Sequence, residues 1–187
     1  MHAEIIAVGT EILLGQIVDT NTRLVGQVLA DLGIDVYYQT VVGDNEVRMR
    51  AAIDLAAKRS DLVILTGGLG PTKDDLTKQV VAAYLGKQLV EDEVAMLKIK
   101  RHFEISQRKM TANNRLQALY IEGSKPLANE TGLAVGDFYQ AEQGPDFMLL
   151  PGPPSELRPM LFKVALPLLK QAYRQDQILS SRVLRFF

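Results

Sequence analysis

Short, uninterrupted apolar runs alternate along this chain with longer stretches whose apolar positions repeat every three or four residues. Residues 3–8 form one such run and stop at Gly9, the pattern of a strand covered on both faces. From Asn21 the period lengthens. Leu24, Val25, Val28, Leu29 and Leu32 share one helical face, and Gly33 supplies a left-handed stop. Residues 34–42, rich in β-branched and aromatic side chains, predict a second strand, and Gly43-Asp44-Asn45 turns the chain into a helix over about residues 46–59. Residues 62–65 are a third apolar run, and Leu76, Val80, Ala83 and Tyr84 mark a helix closed by Gly86. Three strands alternating with three helices through short connections predict an α/β fold with a parallel sheet.

The second half is less regular. Residues 91–103 and 111–119 predict two helices, and residues 133–142 and 146–150 flank Gln143-Gly144-Pro145 as a hairpin with Gly132 and Gly136 as candidate bulges. Pro151-Gly152-Pro153-Pro154 ends the last strand, after which Ser155 is expected to cap a helix that bends near Pro167. Residues 178–187 read as a strand-like apolar tail. The division expected is a domain over residues 1–170 followed by the start of a linking region, residues 171–187, to a further module.

Composition narrows the chemistry. Of 187 residues 47% are hydrophobic and 23% charged, the balance of a soluble globular domain. There is no cysteine, which removes disulfides, zinc–thiolate sites and thiol nucleophiles and suits a reducing compartment. A net charge of −1 makes no case for nucleic acid as a partner. Met1-His2-Ala3-Glu4 lacks the character of a signal peptide, and no run approaches the ~20 apolar residues of a membrane helix, so a cytoplasmic protein without a membrane partner is expected. His2 and His102 have no metal-ligand spacing around them, and the basic stretch Lys98, Lys100, Arg101, Arg108 and Lys109 reads as a solvated face.

The main chemical signal is TGGLGPTKDDLT, residues 66–77. A buried strand ends, three glycines let a backbone approach a ligand, and a helix then begins with free N–H groups and the positive end of its dipole, a geometry that binds phosphate. Thr72 and Asp75 have the spacing of a capping box, and Lys73 adds a cation. Neither Walker A nor the dinucleotide fingerprint is present. A ligand-free strand–helix turn is the competing reading, but ligands sit at this edge of open α/β sheets. A side chain at Gly68 is expected to fill the space where backbone meets phosphate. Asp74 and Asp75 are adjacent, so one takes the site while the other caps or meets solvent; carboxylates beside phosphate hold Mg²⁺ together with substrate oxygens. Gly9-Thr10-Glu11 and Gly43-Asp44-Asn45 follow the first two strands, so Glu11, Asp44 and Asp75 are expected to converge, although Asp44 alone would read as a turn or N-cap residue.

Residues 7–21 (AVGTEILLGQIVDTN), 41–45 (VVGDN), 66–77, 129–132 (NETG) and 150–157 (LPGPPSEL) together resemble the N-terminal domain of the CinA family, the competence/damage-inducible proteins, related to the MoaB/MogA molybdopterin-binding fold. The likeness covers nearly the whole chain. It implies a three-layer αβα domain with a mainly parallel sheet and a homo-oligomer. It also implies a nucleotide or pterin phosphate ligand and one of two chemistries. The first is hydrolysis of ADP-ribose to AMP and ribose 5-phosphate with a divalent ion, Mg²⁺ or Co²⁺; the chain has no Nudix-type box. The second is binding or adenylylation of molybdopterin, through aspartates matching Asp44 and Asp75. A nucleotide-sensing module without turnover is the third reading. Gly67, Gly68 and Gly70 match the shared glycine loop, and Pro151, Gly152 and Ser155 the second loop. The expected site is therefore Asp75 and Asp44 as catalytic residues, and Asp75, Asp74 and Glu11 toward a metal. Ligand contacts are expected from Thr66, Gly67, Gly68, Gly70, Lys73, Thr77, Gly9, Thr10, Gly152 and Ser155. Longer CinA proteins add an amidohydrolase domain whose activity is not carried over. The family commonly places a proline where this chain has Val135.

Overall fold

The computed structural model describes residues 1–173. The apolar tail at residues 178–187 and all but the first residues of the expected linking region lie outside these. Strands β1 (His2–Val8), β2 (Asp35–Val42), β3 (Leu62–Thr66) and β8 (Asp146–Leu150) run parallel, in the order β2-β1-β3-β8. The short β7 (Gly136–Tyr139) and β6 (Lys125–Leu127) extend the sheet antiparallel beyond β8.

Alternation of side chains along the central strands produces two cores. On one face Ile5, Ile64 and Met148 pack with Val25 and Leu29 of α2 (Thr20–Asp31) and with Leu157 of α6 (Pro154–Met160) and Leu169 of α7 (Leu166–Ala172). On the other, Ile6, Leu65 and Leu149 pack with Met49 and Ile53 of α3 (Glu46–Ala56) and with Val80 and Val81 of α4 (Thr77–Leu85). Helices cover both faces, so β3 is buried at all five positions, and its unbroken apolar run follows from that. β2 is the outer strand and mostly exposed, which accommodates Tyr37 and Tyr38 at the surface.

Glu4 interrupts the first apolar run yet is fully buried. Arg59 closes on it with Nε to Oε2 at 2.8 Å and Nη2 to Oε1 at 2.9 Å, while the Thr40 hydroxyl donates to Oε1 at 2.9 Å. This network ties the loop before β3 to β1 and to the outer strand. Gly33 and Gly86 both take positive φ and end α2 and α4 as expected.

Several expectations needed correction. The helix expected over residues 111–119 is a 3₁₀ segment, Ala112–Ala118, leading into β5 (Leu119–Ile121), which pairs with β4 (Leu89–Glu91) as a separate two-stranded ribbon. The last helix is irregular near Pro167, as expected: a π turn, Leu161–Ala165, separates α6 from α7, and Pro167, at the start of α7, cannot donate to the Lys163 carbonyl inside that turn, which its ring displaces. Ser155 does not cap α6; Pro153 occupies that position, and the Ser155 carbonyl accepts from the Thr131 hydroxyl at 3.0 Å. The basic stretch on α5 (Glu93–Ser106) is not uniformly solvated, since Lys98 Nζ donates to the carbonyls of Asn129, Glu130 and Gly132 and braces that loop. Where the family commonly has proline, the Val135 N–H donates to Gln117 O at 2.9 Å, a bond that proline lacks the hydrogen to make.

Candidate functional site

The parallel strands β1, β3 and β8 deliver Gly9, Gly67 and Pro151 to one edge of the sheet, where a cleft of about 590 Å³ opens. Its size lies within the ~300–1,000 Å³ typical of small-molecule sites. Thr66, Gly67, Gly68, Gly70, Gly9, Gly152, Glu11, Asp44, Asp74 and Asp75 all line it. Thr10, Lys73, Thr77 and Ser155 are not among the lining residues.

The glycine loop is built on internal contacts. Gly67 and Gly68 have φ of 100° and 66°. A Cβ on Gly67 would sit on the carbonyl oxygen of Val8, one on Gly68 on the Thr77 hydroxyl, and one on Gly70 2.6 Å from Asp75 Oδ2. The excluded side chains thus point into the protein, which corrects the expectation that a Cβ at Gly68 would occupy the phosphate's space. Thr77 is fully buried, and its hydroxyl donates to Gly67 O at 2.8 Å while its N–H donates to Gly68 O at 3.1 Å. It fastens the loop from behind.

Helix α4 begins at Thr77, later than expected, and its first N–H is spent on the loop. Thr72 and Asp75 form a turn ahead of it. Asp75 Oδ2 accepts from the Thr72 N–H at 2.8 Å and from its hydroxyl at 2.6 Å. The amides of Gly68, Leu69 and Gly70, residues that line the cleft, have no partner among the described residues and are the loop donors left for an anion.

Asp44 is held in a matching way. Its Oδ2 accepts from the Thr10 N–H at 2.9 Å and from the Thr10 hydroxyl at 2.8 Å, and its own N–H donates back to that hydroxyl at 3.2 Å. The N-cap of α3 is Asn45, whose side chain accepts from the Arg48 N–H. Thr10, exposed at the start of the short helix α1 (Thr10–Leu13), therefore orients Asp44 from outside the lining. Asp44 and Asp75 each keep Oδ1 without a partner among the described residues.

Asp19 and Glu156 also line the cleft and were not singled out from the sequence. Asp19 caps α2, accepting from the Thr22 N–H at 2.9 Å. Glu156 Oε2 accepts from Asn129 Nδ2 at 2.7 Å, and Asn129 in turn binds the Gly132 N–H at 2.7 Å and the Ala134 carbonyl at 2.9 Å, so the NETG loop braces Glu156 from outside the lining. Asn21 Nδ2 donates to Gly152 O at 2.6 Å and holds the second loop against α2. The Asx and acid-after-proline patterns in GQIVDTN and PPSE are the sequence signals for these residues.

Glu11, Asp19, Asp44, Asp74, Asp75 and Glu156 make the cleft acidic, and none of its lining residues is Lys, Arg or His. Among the described residues no three acidic or histidine side chains form a cage for a metal. The donor set fits a divalent cation held by one or two carboxylates and completed by phosphate oxygens.

Behind the loop, Lys78 is buried with Nζ donating to the carbonyls of Leu119 at 2.5 Å and Gln117 at 3.4 Å. Burial lowers its pKa to about 8, with Asp137 and Asp92 acting the other way. Burial also raises the pKa of Asp137, whose Oδ1 is paired with the Ile121 N–H and the Ser124 hydroxyl while Oδ2 has no partner among the described residues. An unfolded lysine keeps its proton to about 10.5. Between about pH 8 and 10 the unfolded chain therefore binds more protons at this site, and the site's contribution to stability rises with pH by roughly 2 kcal/mol. Urea midpoints of the wild type and Lys78→Met at pH 8 and 10 check this; equal pH slopes in the two proteins would rule it out.

A family model described as a probable molybdopterin binding domain matches residues 4–171. The chain belongs to this family. A solved structure titled as the protein CinA with unknown function, from Thermoplasma acidophilum, is 32% identical, with a TM-score of 0.78 over 91% of this chain and 96% of that one. The MoaB/MogA-type domain of this family is therefore present here in its CinA form. A competence-damage inducible protein named from Levilactobacillus brevis is 66% identical over the whole chain, which spans 45% of that relative's length. The tungsten cofactor synthesizing protein MoaB of Pyrococcus furiosus, at 17% identity and a TM-score of 0.57 over 91% of this chain and 90% of its own, shares the fold. No helix among the described residues is long and apolar enough to cross a membrane.

Proposed function

We propose that this domain is a cytoplasmic hydrolase of a pyrophosphate-bridged nucleotide, cleaving ADP-ribose to AMP and ribose 5-phosphate with Mg²⁺ or Co²⁺. The carrying observation is the pair of threonine clamps. Thr10 and Thr72 each hold one oxygen of an aspartate by N–H and hydroxyl, leaving the other oxygen of Asp44 and of Asp75 free on one cleft. Preset carboxylates cost little reorganisation when a reaction begins.

In this mechanism the amides of Gly68, Leu69 and Gly70 bind the non-bridging oxygens of the diphosphate. Asp75 and Asp44 orient the cation and the attacking water, and one of them accepts the water's proton as its oxygen bonds to phosphorus. The bridging P–O bond breaks and its electron pair leaves with the second phosphate. A bound divalent cation neutralises charge on the phosphoryl oxygens. Asp74 and Glu11, exposed at the rim, are the further carboxylates available to it.

A second reading, supported by the family itself, is a molybdopterin-binding or adenylylating module in which the same loop holds the pterin phosphate. One assay separates the two. Purified domain incubated with ADP-ribose and Mg²⁺ or Co²⁺ is expected to release AMP and ribose 5-phosphate in equal amounts. No AMP with either ion, together with tight molybdopterin binding, would replace the hydrolase by the second reading.

A further inference from the structure

A second concavity of about 260 Å³ lies between α2 and the start of α6, lined by Arg23, Leu24, Gln27 and Arg158. It shares Thr20, Asn21 and Pro154 with the main cleft, so the two adjoin. Asn21, which lines both, is fixed by its hydrogen bond to Gly152 O.

The charge is divided between them. The main cleft is lined by six carboxylates and by no basic side chain. Arg23 and Arg158 line the side pocket, and neither makes an ion pair or hydrogen bond with any of the described residues. Both are exposed, and Arg48, Arg101 and Arg108 are likewise without an acidic partner among the described residues, so what sets Arg23 and Arg158 apart is the concavity they share. The Arg158 guanidinium lies 5.7 Å from the Phe162 ring centroid, which limits where the head group stands. Two unpaired guanidinium groups on one small concavity fit a phosphate monoester, whose three oxygens match their planar donor forks.

We infer that the α2–α6 pocket is an anion subsite that receives a terminal phosphate monoester of the ligand held in the main cleft. This rests on the reading of the main cleft as a nucleotide site and sharpens its substrate class to a bridged dinucleotide carrying a phosphate beyond the bridged pair. The bridged phosphates meet amides and a cation in the acidic chamber; the terminal dianion is repelled by the carboxylates there and attracted into the basic one.

The test is calorimetric titration, with Mg²⁺ present, of ADP-ribose made uncleavable by a methylene bridge between its two phosphorus atoms, and of the same analogue phosphorylated either on the adenosine 2′-hydroxyl or on the distal ribose. Wild type is expected to bind one of the phosphorylated forms at least tenfold more tightly than the parent analogue. The double variant Arg23→Ala/Arg158→Ala is expected to lose that advantage while binding the parent analogue as before. Equal affinities in the wild type, or an advantage that survives the double substitution, overturns the subsite. Should no nucleotide bind, the reading of the main cleft fails by itself, and the subsite is judged with inorganic phosphate. Perturbed Nε–H resonances of Arg23 and Arg158 at constant ionic strength uphold it, and unchanged resonances reject it.

Discussion

Asp75→Ala is expected to lower AMP release from ADP-ribose at least a hundredfold while the protein stays folded. Asp75 is half-buried, lines the cleft and uses one oxygen on Thr72, leaving the other for the cation and water. Loss of a preset charge of this kind costs about 3 kcal/mol or more of transition-state stabilisation. Asp75→Asn separates charge from architecture, because an amide oxygen still accepts from Thr72. Both variants are expected to be inactive, with the asparagine form nearer the wild type in thermal stability. Rates near wild type in the asparagine form would remove the carboxylate from the chemistry and leave it a turn-forming role only.

Gly67→Ala is expected to cost at least about 3 kcal/mol and to reduce the yield of folded protein. Two terms add. The φ of 100° is one that an L side chain rarely adopts, and the added Cβ would land on the backbone carbonyl of Val8, which belongs to the central strand β1 and has no freedom to move. Gly144→Ala is the control, since its φ of 86° carries the same kind of backbone strain while nothing lies within 4 Å of the new Cβ. It is expected to cost only ~1 kcal/mol. Equal urea midpoints for the two variants would show that contact with Val8 contributes nothing.

Much of the site was visible as strand ends. Glycine after an apolar run marks where a parallel strand exits the sheet, and parallel strands exit on the same side, so Gly9, Gly43 and Gly67 mark the sheet edge that carries the cleft. Which oxygen binds what was not visible. Thr10 and Thr77 sit inside the motifs, yet one orients Asp44 and the other fastens Gly67 from behind, a difference that depends on partners up to 34 residues away. Glu156, Asn129 and Asn21 enter through contacts that span 27 and 131 residues, beyond any local pattern. Glu4 and Lys78 look like surface charges in sequence and are buried, because Arg59 and backbone carbonyls receive them.

By itself the sequence determined the alternation of buried strands and amphipathic helices, the parallel sheet that follows from it, and the glycines, Gly33 and Gly86, that end two of the helices. These are local or periodic properties, written within a few residues of one another. The tertiary structure alone decided where α4 begins, which amides stay free, which oxygen of each aspartate is spent, and that an unpaired arginine pocket adjoins an acidic cleft. Those outcomes depend on groups brought together from distant parts of the chain, where a hydrogen bond made by one partner removes it from all others.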